Sequence, residues 1–491
     1  MSYEPVIGLE IHAELKTKTK MFCFSPNDPD EKHPNMNVCP ICMGHPGTLP
    51  TINEEAVKKV IKVGLALNAE ISEFSQFDRK NYFYPDLPKG YQISQYEHPL
   101  VKKGYLEISE KKICITRVHL EEDTGRIVHD KASGVSLIDF NRAGVPLMEL
   151  VTEPDFRTGE EVKEFGEALR AILRSIGASD ANMEKGQMRV EVNISLRKIG
   201  EEKFGTKVEI KNINSFKFAK DAVEYEAKRQ SALLERGEKI VQETRGWNEF
   251  KQETFSQRIK EEAHDYRYLP EPDLPPLSIS REFVETLRRE LPELPAAKRG
   301  RFVSLYGLDQ EIAVILAGDK PLADYFEGVV SELLQYDQNT PEKPKKNLPR
   351  FAAAFLTGEF QHILKNISAS LADVKVTAEN FAELMIYVAE DKISNTAAKQ
   401  VLEEMVKTGG DPSDIIEHLG LWQVSDQTGL EDIARHIIAE NPKPVEDFKK
   451  GKTASLQFLV GQMMKESRGK ANPKLAGEII KKLLMSNFIG N

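Results

Sequence analysis

The chain has 491 residues, 40% hydrophobic and 29% charged, with 67 Lys/Arg against 77 Asp/Glu for a formal net charge of -10. This length allows roughly three domains of about 150 residues each, the composition excludes a disordered chain, and the acidic balance excludes nucleic-acid binding driven by bulk charge, leaving only local basic patches for it. No stretch approaches the roughly 18 consecutive apolar residues of a membrane helix, and the N-terminal MSYEPVIGLEIHAEL lacks a basic region followed by an apolar one, so a cytoplasmic protein without a membrane contact is expected.

In chain order, Glu10 and His12 of GLEIHAEL come first; two residues apart, they share a face if this segment is a strand. Of the four cysteines, Cys23, Cys39 and Cys42 fall in one short polar stretch. Cys39-Pro-Ile-Cys42 has the spacing with which a turn presents two thiolates to a tetrahedral zinc, with His33, His45 or water as the fourth ligand and free thiols as the plain alternative. Cys114 is expected to be a buried strand residue. Residues 78–95, DRKNYFYPDLPKGYQISQ, interleave Tyr82, Phe83, Tyr84 and Tyr91 with Arg79, Lys80 and Lys89. That composition fits stacking on a nucleotide or an unpaired RNA end, and equally fits ordinary core aromatics. The strand-like KKICITRVH then delivers Glu121, Glu122 and Asp123 of HLEEDTG.

A helix is expected over 159–176, where Thr158 and Glu161 form a capping-box pattern and Val162, Phe165, Leu169, Ile172, Leu173 and Ile176 share one face. In MRVEVNISLR, Met188, Val190, Val192, Ile194 and Leu196 alternate with polar residues, and TKVEIKNIN sets Val208 and Ile210 against Lys207, Glu209 and Lys211. Two neighbouring antiparallel strands follow, whose polar faces either line a cleft or meet solvent. LPELPAAKRGR at 291–301 punctuates the chain with Pro292 and Pro295, and the text beyond it is helical. Leu456, Leu459, Val460, Met463 and Met464, and then Leu475, Ile479, Ile480, Leu483 and Leu484, form two amphipathic stripes. The basic turn between them, with Lys465, Arg468, Lys470 and Lys474, suits a phosphate backbone or plain solvent.

Glu10, His12, Glu121, Glu122, Glu184 and Glu191 are the oxygen and imidazole donors from which a Mg²⁺ site that grips phosphates is built, if they converge; scattered surface acids are the alternative. There is no P-loop, no GxGxxG after a strand and no GxSxG elbow, so any ATP site lies in another fold.

VIGLEIHAEL, NVCPICMGHPGTLP, FDRKNYFYPDLPKGYQISQ, RVHLEEDTG, DFNRAGVPLMELVTEPD, KNINSF and DYRYLPEPDLPP run in order through about the first 275 residues, and FLVGQMMKESRGKANP closes the series. Together they resemble the B-subunit family of the aspartyl/glutamyl-tRNA amidotransferases. The resemblance implies an α+β fold: an antiparallel-sheet cradle of glutamine synthetase-like type over 1–293, a helical domain over 294–411, and a small all-α tail over 412–491 that binds tRNA. It implies an ATP-dependent carbon-nitrogen ligase with glutamine as amido donor, which phosphorylates the side chain of Glu on tRNA(Gln) or Asp on tRNA(Asn) and then amidates it. By analogy Glu10, His12, Glu121, Glu122, Glu184 and Glu191 hold Mg²⁺ and phosphate, with Glu10, His12, Glu121 and Glu122 catalytic. Arg79, Lys80 and Tyr82 border the pocket, Lys207 and Lys211 meet ATP or substrate phosphate, and Lys465, Arg468 and Lys470 approach tRNA. Cys23, Cys39 and Cys42 are the zinc candidates, although Ser25 stands where zinc-containing members carry a cysteine.

No glutaminase signature is present, so the resemblance implies an amidase subunit that supplies ammonia and a small third subunit in a heterotrimer. Which misacylated tRNA is the substrate stays open. Two rival readings also stand at this point: a self-sufficient ligase using free ammonia, and a tRNA-binding scaffold with an inert first domain. The GLEIH and HLEED carboxylates argue against the scaffold.

Overall fold

Alternation sets the first element. In β1 (Tyr3–Glu14), Leu9, Ile11 and Ala13 are buried while Glu10, His12 and Glu14 are half-buried on the other face. The computed structural model describes residues 3–109, 111–130, 133–259, 266–339, 347–423, 427–467, 471 and 473–486. In chain order the elements that build the first unit are α1 (Glu54–Ala66), β2 (Asp78–Asn81), β3 (Tyr91–Ser94), β4 (Lys111–Glu122), β5 (Pro146–Thr152), α2 (Gly159–Ser175), β6 (Met188–Lys198), β7 (Val208–Ile213), α3 (Phe216–Glu235), β8 (Glu243–Asn248) and β9 (Glu253–Ile259).

A ten-stranded sheet runs in the order β9-β8-β7-β6-β1-β5-β4, continued by the short strands Val101–Lys102 and Glu70–Ile71, with Tyr105–Ile108 also pairing with β4. The two alternating strands of the sequence are β6 and β7, and they pair antiparallel as expected. One pair departs from the antiparallel rule: β7 and β8 are parallel. The cause is α3, which lies between them in the chain; a parallel pair needs such a crossover, whereas a hairpin turn would reverse direction.

Helices α1, α2 and α3 cover one face of the sheet, where Val57, Ile61, Phe165, Leu169, Leu173, Ala219 and Val223 join Leu9, Ile11, Val190 and Val192 in a single core. The expected helix is α2, and Thr158 Oγ1 accepts the Glu161 N–H as a capping residue should. The reciprocal half differs from the box: the Glu161 carboxylate accepts from Arg157 N–H at 2.7 Å and pairs with Lys111. With one face covered by helices, the polar positions of β1, β4, β5, β6 and β7 are left together on the other.

The chain divides into two units, Met1–Pro295 and Ala296–Asn491. The second is helical and contains two separate apolar cores, one from Phe302 to Ile416 with Leu421 and Trp422 against it, the other from Leu430 to Leu484. The helix Pro412–Leu419, which the sequence reading assigns to the tail, buries Ile416 in the first of these cores. The two amphipathic stripes are helices α4 (Ala454–Glu466) and α5 (Pro473–Ser486), and both bury their apolar residues in the second core. Among the described residues no helix is long and apolar enough to cross a membrane.

Candidate active site

Strand register assembles the site. Glu10 of β1 stands opposite Glu191 of β6; His12 stands between Arg189 of β6 and Glu149 of β5, and Glu149 in turn faces His119 of β4. Glu121 follows His119 by two residues and therefore shares its face. These side chains form the floor of an open cleft whose walls include Lys80, Tyr82, Arg117, Glu209 and Lys211.

Three overlapping sets of donors lie close enough to share a cation: Glu10, His12 and Glu149; His119, Glu121 and Glu149; and Glu10, Glu191 and Glu209. His12 Nε2 lies 3.4 Å from Glu149, 3.6 Å from Glu121 and 4.0 Å from Glu10. Burial pulls the His12 imidazole down, but the hydrogen bond and charge of Glu149, with Glu121 and Glu191, outweigh it and raise its pKa to about 9. Burial, reinforced by the negative charges of Glu149 and Glu191, pushes Glu10 up, while burial of Glu149 is overcome by His119 and His12, which hold it below the usual carboxylate range. Cations rim the acids: Lys211 pairs with Glu191 at 2.8 Å, and Arg117 reaches Glu149 at 3.4 Å. The His119 Nδ1 is buried with no hydrogen-bond partner. Oxygen-rich, half-shielded and carrying several coupled charges, this floor suits a hard divalent cation together with the phosphates it neutralises.

Of the residues singled out in the sequence, Glu10, His12, Glu121, Glu191, Lys80, Tyr82 and Lys211 meet in this cleft. Glu122 does not. As the next residue of β4 it points to the opposite face, where its carboxylate pairs with Lys89 Nζ and accepts the Ile93 N–H at 3.0 Å. Glu184 sits in an exposed turn whose backbone is held by Asn182, and Lys207 is exposed ahead of β7; neither lines the cleft. Arg79 alternates away from Lys80 and is clamped by Glu271 through two bonds of 2.8 Å, with its guanidinium 4.3 Å from the Tyr91 ring centre. Lys465 is exposed at the end of α4, whereas Arg468 and Lys470 lie outside the described residues.

The sequence reading missed Glu149, His119, Arg117 and Arg189. Glu149 hides in the apolar run PLMELV, and only register reveals it. The His119-x-Glu121 spacing repeats that of Glu10-x-His12 and was the available signal.

The opposite face of β4 borders a second, smaller pocket lined by Cys23, Cys42, His45, Lys89, Glu122 and Gly144. Cys23, Cys39 and Cys42 bring their sulfurs within 4.8 Å of one another. Cys42 Sγ accepts the Cys39 N–H at 3.2 Å and lies 3.7 Å from Lys20 Nζ and 3.9 Å from Ser25 Oγ. Lys20 is fully buried, and its ammonium also donates to Phe140 O at 3.3 Å. The hydrogen bond from Cys23, together with Lys20, lowers Cys42 to about 4, while Cys23 is pushed up by the same bond and by burial. Gly144, at φ +88°, passes so close that a Cβ there would meet Cys42 Cβ at 3.3 Å. Of the other ligand candidates, His45 lines this pocket, His33 is exposed and held by Glu31, and Cys114 is half-buried on β4, its N–H bonded to Asp155, rather than fully buried as expected. Three thiols with a neighbouring hydroxyl fit zinc with one oxygen ligand.

Comparison with known proteins places the chain in a family. The GatB/GatE catalytic domain pattern matches residues 5–285 and the GatB domain pattern matches residues 340–484. The B subunit of the aspartyl/glutamyl-tRNA(Asn/Gln) amidotransferase from Caldanaerobacter subterraneus subsp. tengcongensis is 48% identical over 488 residues, covering 99% of this chain and all of the relative. Those from Caldicellulosiruptor saccharolyticus and Dehalococcoides mccartyi are each 48% identical over 491 residues, covering 99% and 98% of this chain respectively and 99% of each relative. The chain belongs to the GatB family, the B subunits of aspartyl/glutamyl-tRNA(Asn/Gln) amidotransferase.

Proposed function

We propose that the chain is the ATP-dependent kinase and transamidase subunit of a glutamine-dependent tRNA amidotransferase, a carbon-nitrogen ligase that amidates Glu on tRNA(Gln), Asp on tRNA(Asn), or both. The observation that carries this reading is the convergence of Glu10, His12, His119, Glu121, Glu149 and Glu191 on one face of the sheet. The sheet with its helical backing serves as a glutamine synthetase-like cradle. The two helical cores beyond residue 295 carry the middle domain and the tRNA-binding tail, with Lys465 at the end of α4 facing the tRNA.

The chemistry follows from the leaving groups. A carboxylate resists attack by ammonia because oxide is a poor leaving group. One oxygen of the substrate carboxylate attacks the γ-phosphorus of ATP, the bond to ADP breaks, and the side chain becomes an acyl phosphate. Ammonia nitrogen then attacks the carbonyl carbon, the C–O bond to phosphate breaks, and the nitrogen gives up one proton to a cleft carboxylate. Glu10, His12 and Glu149, or the adjoining groups with Glu121 or with Glu191, would hold Mg²⁺, and it would neutralise the phosphate oxygens when bound. Lys80 and Lys211 add positive charge where the phosphates pass, and the half-buried floor limits hydrolysis of the intermediate.

Ammonia comes from a separate amidase subunit, because this chain carries no glutaminase signature, and a small third subunit completes the heterotrimer in the cytoplasm. The thiol pocket holds a structural zinc through Cys23, Cys39 and Cys42, with Ser25 or water as the fourth ligand; it lies across the strand from the chemistry.

The test is to trap the intermediate. The assembled complex, given misacylated tRNA and ATP but neither glutamine nor ammonium, is treated with hydroxylamine. Hydroxamate on the tRNA-bound side chain is expected, and amide formation by a complex that never yields hydroxamate would sink the acyl-phosphate route.

A further inference from the structure

One wall of the cleft has no part in the chemistry above, and it is aromatic. Tyr96 and Tyr268 stack with ring centres 4.1 Å apart and planes 10° from parallel. Tyr266 meets Tyr268 edge-on at 6.0 Å and Tyr82 at 6.0 Å on its other side. All four tyrosines line the same cleft as the carboxylates. They come from distant parts of the chain, joined because Leu269–Pro270 pairs with β2, which also pairs with β3. Lys80 stands between wall and floor: its Nζ lies 5.0 Å from the Tyr266 ring centre, and its side chain lines the cleft beside Glu121 and Glu149.

A tyrosine cluster made for stability would be closed over, yet Tyr96 remains 51% exposed. Two parallel rings held open to a cleft continue most favourably into a third flat ring. Aromatic platforms of this kind take nucleobases, because every base has a π-face, and a cation at the edge of the platform then meets the phosphate end of the same molecule.

We propose that Tyr96 and Tyr268, backed by Tyr266 and Tyr82, form an adenine platform, with the sugar and phosphates passing Lys80 onto the carboxylate floor. This rests on the reading of that floor as the phosphate site. Both substrates of the reaction end in adenosine, ATP and the 3′ end of tRNA, and the experiment separates these two sources.

The assembled complex is prepared with Tyr96→Leu, Tyr268→Leu and Tyr268→Phe. KM is measured for ATP and for misacylated tRNA, and Mg·tripolyphosphate, which has phosphates but no base, is used as an inhibitor. Loss of one stacking partner corresponds to a change of roughly 5- to 150-fold. The leucine variants are expected to raise KM for ATP within that range, with inhibition by tripolyphosphate unchanged and Tyr268→Phe close to wild type. A rise confined to the KM for tRNA supports the platform and assigns it to the terminal adenosine. Unchanged KM for both substrates, or an equal weakening of tripolyphosphate, overturns it. Glu121→Gln in the same assay tests the floor separately: undiminished tripolyphosphate inhibition there would fault the phosphate site and leave the tyrosine result standing by itself.

Discussion

Glu121 and Glu122 are neighbours in the chain, yet they belong to two sites of opposite character. Glu121 enters an open cleft that it shares with Glu10, Glu149, Glu191 and Glu209, where carboxylates outnumber the Lys and Arg side chains even with His12 and His119 beside it. Glu122 enters a small pocket that contains its own counter-charges, Lys89 against the carboxylate and Lys20 against Cys42. The contrast teaches how to tell a reacting site from a structural one. A site balanced internally is finished when the chain folds, whereas one left unbalanced is built for a ligand.

The contrast breaks first at the floor of the cleft. His12→Ala and Glu149→Gln should each lower amidation by about 10²–10³-fold, the usual loss when one preorganised electrostatic group is removed, while glutamine hydrolysis by the amidase partner continues. Retained amidation in either variant would detach the floor from the reaction. Across the strand, Glu122→Gln should instead cost stability, about 3 kcal/mol, because Lys89 would keep its charge without its partner. Denaturant unfolding of the purified chain measures this, and an unchanged midpoint would mean that the pocket is not internally balanced.

The acid-base state of the floor gives a third test. The folded-state pKa of His12, about 9, lies above the ordinary histidine value of 6.5. In the metal-free chain the pairing of charged His12 with Glu149 therefore stabilises fully below pH 6.5 and is lost as the pH rises through about 9. Ligation requires the neutral ring, so Mg²⁺ affinity should climb by up to about tenfold per pH unit in that window, with a proton released on binding. Calorimetry in buffers of different ionisation enthalpy would show the proton, and a flat pH profile would exclude His12 as a ligand. In the pocket, Cys42→Ser should strip zinc from the purified chain and lower its melting temperature with amidation intact, whereas Ser25→Cys should tighten zinc by adding a fourth thiolate. Elemental analysis and a chelator titration decide both. The smallest effects belong to residues that the structure leaves outside the cleft: Lys207→Ala and Glu184→Gln should change KM for ATP by less than about twofold, as exposed charges do.

Much of this was legible in the sequence. The periods of α2, β6 and β7 announced themselves because each has one face in the core, and burial imposes the period. The polar partners Glu10, His12 and Glu191 were visible for the same reason. Register was not legible, since it depends on which strands pair, and so Glu149 stayed hidden inside PLMELV and Glu122 was grouped with Glu121. The aromatic wall was half seen: Tyr82 stood out among its neighbours, while its companions Tyr266 and Tyr268 arrive from a distant part of the chain by a short strand pairing that no local pattern marks.

The most direct test of the account sets the two neighbours against each other. Amide formation on Glu-tRNA(Gln) is measured with the assembled complex carrying Glu121→Gln or Glu122→Gln, at a temperature where both remain folded, with glutamine hydrolysis followed in parallel. The account predicts that Glu121→Gln abolishes amidation, that Glu122→Gln retains it to within about tenfold, and that hydrolysis survives in both. The reverse order, with Glu122 essential and Glu121 dispensable, would contradict the assignment of the cleft as the reacting face.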